Sequence, residues 1–360
     1  MIIGIPKEIK NNEFRVSATP SGVHAYVQSG HTVLVESGAG LGSAITDQDY
    51  IQSGAQIVAT ADEVWQRGDL IQKVKEPIAV EYPKMRKGQI LYTYLHLAAS
   101  RECADAILKS GVTAFAYETV EVNGTLPLLA PMSEVAGRMS IQVGATALEA
   151  SKGGRGVLLG GVPGVRPGKV VVIGGGVVGV AAATIAHGMR ADVSIFDLDL
   201  PRLAQIDQLF SGQVKGIASS AYEIEREVMA ADLVIGAVLV HGAKAPKLVS
   251  NALVKKMKPG SVLVDVAIDQ GGCFEDSKPT THADPTFKVH DSIFYCVANM
   301  PGAVPATSTY ALANATIKYG LAIANKGWQK AIADDANLAK GLNAHEGKIM
   351  YQAVAQAHNL

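Results

Sequence analysis

The chain has 360 residues, 48% of them hydrophobic and 18% charged, with 32 Lys plus Arg against 33 Asp plus Glu for a formal charge of −1. At roughly 150 residues per domain this predicts about two domains with sizeable cores, and it excludes global disorder. A near-neutral balance leaves no electrostatic footprint for nucleic acid or an anionic membrane, so small molecules and further copies of the chain are the expected partners. Cys103, Cys273 and Cys296 are widely spaced and form no CxxC pair, which fits a reducing, cytoplasmic setting. Lys7, Glu8 and Lys10 stand where a secretory signal needs an apolar stretch. No uninterrupted apolar run reaches the ~18 residues of a membrane helix.

Short β-rich runs alternate with helix-like stretches, which predicts an α/β protein of two Rossmann-like domains with mainly parallel sheets. The first third reads as strands near Ile2–Ile5, Thr32–Glu36, Leu70–Val74, Ile90–Leu97 and Ala114–Ala116, with helices at Ser21–Ser29 and Arg101–Lys109. Pro131–Ser151 has helical spacing, with Ser133 as its expected N-cap. A glycine-rich stretch from Gly153 to Gly168 leads into strands near Val170–Ile173, Asp192–Phe196, Leu233–Gly236, Ser261–Ile268 and Ile293–Val297. Beyond Pro305 the sequence reads as helical to its end, including Thr307–Asn325 and Gly341–His358. This order predicts a discontinuous first domain, residues 1–130 plus 306–360, with the second domain at 131–305.

Lys169–Ile173 (KVVVI) is an apolar, β-branched strand that runs directly into Gly174-Gly175-Gly176-Val177-Val178-Gly179. Gly174 permits a tight turn, Gly176 lets backbone approach a pyrophosphate, and Gly179 lets helix pack closely on strand. The helix N-terminus beyond offers free N–H groups to phosphate. Asp197 ends the next strand, roughly 20 residues on, where a carboxylate accepts hydrogen bonds from ribose hydroxyls and repels a 2′-phosphate. The unit therefore predicts an NAD-dependent oxidoreductase, with Arg202 as the residue that softens the preference for NAD over NADP.

Other polar residues have two readings each. His96, at the C-terminal end of its expected strand, is either a proton-exchanging group or a hydrogen-bonded core histidine. Asp269 shares a face with Asp265 if its strand is regular, and is either functional or a turn-initiating aspartate. Lys75 and Arg15 are either carboxylate binders or solvated charges. No metal-ligand spacing and no GxSxG elbow is present.

Beyond these residues the chain resembles the alanine dehydrogenase family over nearly its whole length. The resemblance is carried by IGIPKEIKNNEFRV at the start, IQKVKEP around Lys75, YLHLA around His96 and LLAPMSEVAGRMS. GGGVVG, DVAIDQGG and VANMPGAVPATST continue it. It implies reversible reaction of L-alanine, NAD and water to pyruvate, ammonium and NADH, in a homohexamer. Arg15 and Lys75 then hold the substrate carboxylate, and His96 and Asp269 form the acid–base pair. Ser133, Asp197, Arg202, Ser219, Val238, Leu239 and Asn299 line the NAD site beside the three glycines. Lys278 stands where the family is expected to carry an arginine, and Leu129 and Met132 are the candidates for the methyl pocket. Three rival readings are the NAD-binding component of a transhydrogenase, a saccharopine or lysine dehydrogenase relative, and a non-catalytic NAD sensor.

Overall fold

The computed structural model describes residues 1–238 and 245–359. The chain divides into two compact units, Met1–Met132 with Gly302–Leu360, and Ser133–Pro301. The expected site residue Leu239 lies outside the described residues.

The first unit begins with β1 (Ile2–Ile5), β2 (Thr32–Glu36), β3 (Gln56–Val58), β4 (Leu70–Gln72), β5 (Ile90–Thr93) and β6 (Thr113–Ala116). The second unit supplies β7 (Lys169–Ile173), β8 (Asp192–Asp197), β9 (Lys215–Ala218), β10 (Leu233–Gly236), β11 (Val262–Asp265), β12 (Thr286–Val289) and β13 (Ser292–Tyr295). The chain then returns to the first unit with the helix Pro305–Lys326 and the strands β14 (Leu342–His345) and β15 (Lys348–Ile349).

In the first unit the strand order is β15-β14-β6-β5-β4-β1-β2-β3. From β6 to β3 all pairings are parallel, while β14 joins β6 and β15 antiparallel. In the second the order is β12-β13-β11-β10-β7-β8-β9, parallel except for β12 on β13. Both sheets reverse their winding beside their first strand, at β1/β4 and at β7/β10. In open α/β sheets ligands bind at such switch points, outside the C-terminal strand ends. The strands are apolar on both faces because helices cover both: Val170, Val171 and Val172 are fully buried in β7, as are Leu233, Val234 and Ile235 in β10. The fold class expected from the alternating pattern is the one observed.

Several elements differ from expectation, each for a physical reason. The strand expected over Ile90–Leu97 stops at Thr93, because Glu118 takes the amides that a ladder would have used: Leu95 N at 3.1 Å and His96 N at 2.6 Å. His96 then adopts a left-handed conformation, φ 48°, so it does not continue the face of Tyr92 and Tyr94. The strand expected over Ser261–Ile268 ends at Asp265, and Asp269 sits in a 3-10 turn, Ile268–Gln270, rather than on the strand face of Asp265. Ser133 is not an N-cap. The helix runs Ala130–Ala147 and starts earlier because Pro131, which lacks an N–H, fits its first turn. The segment Gly341–His358 is helical only from Gln352; before that it forms the hairpin β14–β15, which completes the sheet beside β6. The short strands β3, β9 and β12 were not expected at all.

Candidate active site

In the first unit, the segments that follow β1, β4, β5 and β6 emerge side by side, since these four strands are neighbours and parallel. The segment after β1 carries Lys10, Glu13 and Arg15, and that after β4 carries Lys75 and Glu76. The segment after β5 carries Tyr94 and His96, and that after β6 carries Glu118. Four stretches far apart in sequence are thus brought to one sheet edge.

Arg15 is buried, 2% exposed, and its guanidinium grips Glu13 in a fork, Nε to Oε1 at 2.6 Å and Nη2 to Oε2 at 2.5 Å. Its Nη1 lies 3.1 Å from the Met132 sulfur, which places a methyl-pocket candidate against a carboxylate-binding candidate. Burial works against the charged guanidinium, but the hydrogen bonds and charge of Glu13 outweigh it and raise its pKa. Lys75 is held through its backbone: its carbonyl accepts from the Thr93 hydroxyl at 3.0 Å, and Glu8 takes the Val74 amide at 2.6 Å. Burial and the neighbouring positive charge of Arg15 push the Lys75 ammonium below its ordinary value. A lysine so placed releases its proton more readily than a surface one.

Beneath Lys75 lies a buried ionic group. Lys73 meets Glu8 at 3.1 Å and Glu81 at 2.8 Å, and the charges of the two carboxylates overcome burial and hold its ammonium above the ordinary range. His96 Nδ1 lies 3.2 Å from Glu76 Oε2, and Glu76 also pairs with Lys10. The His96 ring leans on that of Tyr94 with centroids 5.8 Å apart, and Tyr94 is pinned by its hydroxyl, which donates to Leu128 O at 2.6 Å. Sequence reasoning missed Glu13, Glu76 and Glu118. The first two lie inside the blocks quoted for Arg15 and Lys75; Glu118 carries no local signal, because its partners are more than twenty residues away.

In the second unit the glycine turn follows β7. Gly174 has φ 109°, and a Cβ there would meet Ala237 O at 2.6 Å and Val238 N at 3.2 Å. A Cβ on Gly179 would fall 1.8 Å from Gly174 O, whereas Gly176 faces open space. Gly176 begins the helix Val177–Gly188, and no side chain caps its first turn. These are the features a pyrophosphate needs: backbone close by, nothing in the way and uncapped N–H groups. Asp197, at the end of β8, accepts from Gly175 N at 2.8 Å, and its backbone carbonyl accepts from Ser219 N at 2.9 Å. Arg202 Nε donates to Gly175 O at 2.6 Å. Asn299 follows β13 with φ 57°, its carbonyl 3.4 Å from His282 Nε2. Ser133 lies inside the helix Ala130–Ala147, which packs at Gly137 on the start of the helix Val177–Gly188: a Cβ on Gly137 would fall 2.2 Å from Val178 O. Lys278 lies over the Phe287 ring, 4.6 Å from its centroid.

Asp269 is exposed on its turn. The turn is held by Asp265, whose carboxylate accepts from Ala267 N at 3.1 Å, Cys273 N at 2.9 Å and the Ser277 hydroxyl at 2.5 Å. Lys247 clamps its far side, donating to Gly271 O at 2.6 Å and Gly272 O at 2.9 Å. A separate cavity of about 360 Å³ lies between the helix Ala130–Ala147 and the strands β12 and β13, lined by Thr146, His282 and Tyr295 among others; none of the candidate site residues lines it.

Two doubly wound α/β units, one opening on a glycine turn closed by an acidic strand end, define a two-unit Rossmann-type protein. The chain belongs to the alanine dehydrogenase/PNT family: the N-terminal domain of that family matches residues 4–136 and the C-terminal domain residues 140–352. The second match runs past Pro301 into the segment that folds with the first unit. The alanine dehydrogenase of Mycolicibacterium smegmatis is 62% identical over 357 residues, covering 99% of this chain and 96% of that protein. A solved L-alanine dehydrogenase superposes with a TM-score of 0.97 at 54% identity, covering 100% of this chain and 99% of that one. A transhydrogenase from Sinorhizobium meliloti has the same fold, with a TM-score of 0.86 at 26% identity over 97% of this chain and 100% of that one.

Proposed function

We propose that this protein catalyses the reversible, NAD-dependent oxidative deamination of L-alanine to pyruvate and ammonium. The observation that carries this reading is the 62% identity, over 99% of the chain, to a protein named alanine dehydrogenase. The unit Ser133–Pro301 is assigned the cofactor, and the unit formed by Met1–Met132 with Gly302–Leu360 the substrate. The residues fit a dinucleotide: the open face of Gly176, the uncapped helix and Asp197 supply room, N–H donors and a ribose acceptor.

When bound, NAD takes up the hydride that leaves the alanine Cα. The chain's own residues have four tasks. Arg15 and Lys75 hold the carboxylate, and the lowered Lys75 pKa suits a group that also hydrogen-bonds the reacting oxygen or nitrogen. Hydride loss requires a neutral amine, and His96 accepts and returns the proton at that nitrogen and at the developing hydroxyl. Asp269 orients the water that attacks the carbon. Leu129 and Met132 shape the methyl pocket, where one extra methylene alters binding by only about 1–3 kcal/mol, so that 2-aminobutyrate is a slow alternative substrate.

By the same resemblance the working form is a cytoplasmic homohexamer. The exposed apolar side chains Leu158, Val162 and Val165 support self-association. Among the described residues no helix is long and apolar enough to cross a membrane. The test mixes protein, NADH and ammonium with pyruvate, then replaces that pair of substrates by lysine and 2-oxoglutarate. Oxidation of NADH only with pyruvate and ammonium is expected. Oxidation only with lysine and 2-oxoglutarate overturns the reading, and oxidation in neither favours the transhydrogenase component or a sensor.

A further inference from the structure

We propose that Glu76 is the positioning residue for His96: its carboxylate, anchored by Lys10, holds the Nδ1 side of the ring and leaves Nε2 as the atom that exchanges protons with substrate. This rests on the reading of His96 as the acid–base group of alanine oxidation.

The side chain of His96 is 42% exposed, so burial does not fix its ring. Its backbone is fixed instead, in the left-handed region, by the Glu118 carboxylate on the Leu95 and His96 amides. That leaves two ring orientations and two tautomers. A neutral imidazole carries one donor and one acceptor nitrogen, and its hydrogen-bond partner decides which is which. Glu76 Oε2, 3.2 Å from Nδ1, only accepts while it is ionised. It stays ionised because burial, which favours the neutral acid, is outweighed by its hydrogen bonds to His96 and Lys10, and its pKa falls to about 2. Nδ1 therefore carries the hydrogen, and the Nε2 lone pair is available. When Nε2 takes a proton, the imidazolium that forms already faces a carboxylate.

The other charged groups around the ring are compatible with this. Lys10 pairs with Glu76 rather than with the ring, Glu118 is committed to main-chain amides, and the adjacent Lys75 is repelled by Arg15 and Lys10 but drawn to Glu76. The consecutive residues Lys75 and Glu76 thus divide the work of a single segment after β4: one reaches the substrate and the other sets the tautomer of the group that acts on it.

A double-mutant cycle on the full chain tests this, with NADH, ammonium and pyruvate as substrates. Glu76→Ala is expected to lower kcat at least about tenfold and by no more than the roughly 10²–10⁴ that a general acid–base group contributes, while the KM for pyruvate changes less than about threefold. Combined with His96→Ala it should add nothing, because a residue that acts through another has no effect once that other is gone. Losses that multiply in the double variant, or an unchanged kcat in Glu76→Ala, overturn the proposal. If His96→Ala keeps wild-type turnover, the reading of His96 fails instead, and the two failures are distinguishable. Where Glu76→Ala folds poorly, Glu76→Leu, of similar bulk but with no acceptor, carries the same cycle, with a lowered kcat expected beside His96 and no further loss in the His96→Ala background.

Discussion

Asp197 Oδ2 accepts a hydrogen bond from the Gly175 amide at 2.8 Å, which ties the end of β8 to the glycine turn after β7. The carboxylate is thereby oriented before any nucleotide arrives, and Arg202, donating to Gly175 O, stands on the same turn. Asp197→Ala removes the proposed ribose acceptor and the charge that would repel a 2′-phosphate, while Arg202 remains to meet that phosphate. A hydrogen bond to a charged group contributes about 1.5–3 kcal/mol, so the ratio of kcat/KM for NADH over NADPH should fall about ten- to a hundredfold. Steady-state kinetics with both cofactors measures it, and an unchanged ratio rejects Asp197 as the discriminating residue.

Gly179 has no room for a side chain. A Cβ would sit 1.8 Å from Gly174 O, backbone that cannot yield without opening the turn. Gly179→Ala should destabilise the protein by at least about 1–3 kcal/mol, the usual range for overpacking, and weaken NADH binding with it. Thermal denaturation and fluorescence titration read the two effects, and a variant with unchanged melting temperature and affinity contradicts the close packing of this helix on its strand.

Lys75 is a charge held against stability. Burial and Arg15 lower its folded pKa below the ordinary 10.5. The unfolded chain therefore binds more protons in the window between the folded and unfolded values. Stability then rises with pH through that window, and below it the full penalty is present. Lys75→Met should accordingly raise the melting temperature at neutral pH while nearly abolishing turnover. A melting temperature that falls instead would show that the ammonium stabilises the fold.

Glu76 has the opposite sign. Its folded pKa, about 2, lies below the ordinary 4.5, despite burial, because His96 and Lys10 hydrogen-bond its charged form. The contribution to stability is complete above about 4.5 and is lost as pH falls toward 2. Denaturant titrations at a series of acidic pH values should show Glu76→Gln losing less stability across that window than the wild type. Equal losses would mean that other carboxylates carry the acid response.

The elements that sequence revealed are those whose cause is local. KVVVI followed by GGGVVG specifies strand, turn and helix within a dozen residues, and β7, the turn and Asp197 stand where that pattern puts them. His96 is different. Its departure from the strand depends on Glu118 taking two amides, a contact that the pairing of β6 with β5 brings about and that no local pattern encodes. The hairpin β14–β15 was hidden for the same reason: LNAH becomes a strand because β6 offers it an edge. Asp265, fully buried, shaped its loop through Cys273, Phe274 and Ser277, whereas its strand-end position suggested only a regular alternation toward Asp269. Arg15, Lys75 and His96 were each legible as chemistry-bearing types, but their meeting at one sheet edge follows from strand order, which spacing does not encode.

The most direct measurement of the reaction itself uses L-alanine carrying deuterium at Cα, with NAD and the purified protein. The proposed function predicts that the deuterium appears at nicotinamide C4 of the reduced cofactor, and that pyruvate and ammonium form in equal amounts with it. Deuterium released to water, or no reduced cofactor formed from L-alanine, would contradict it.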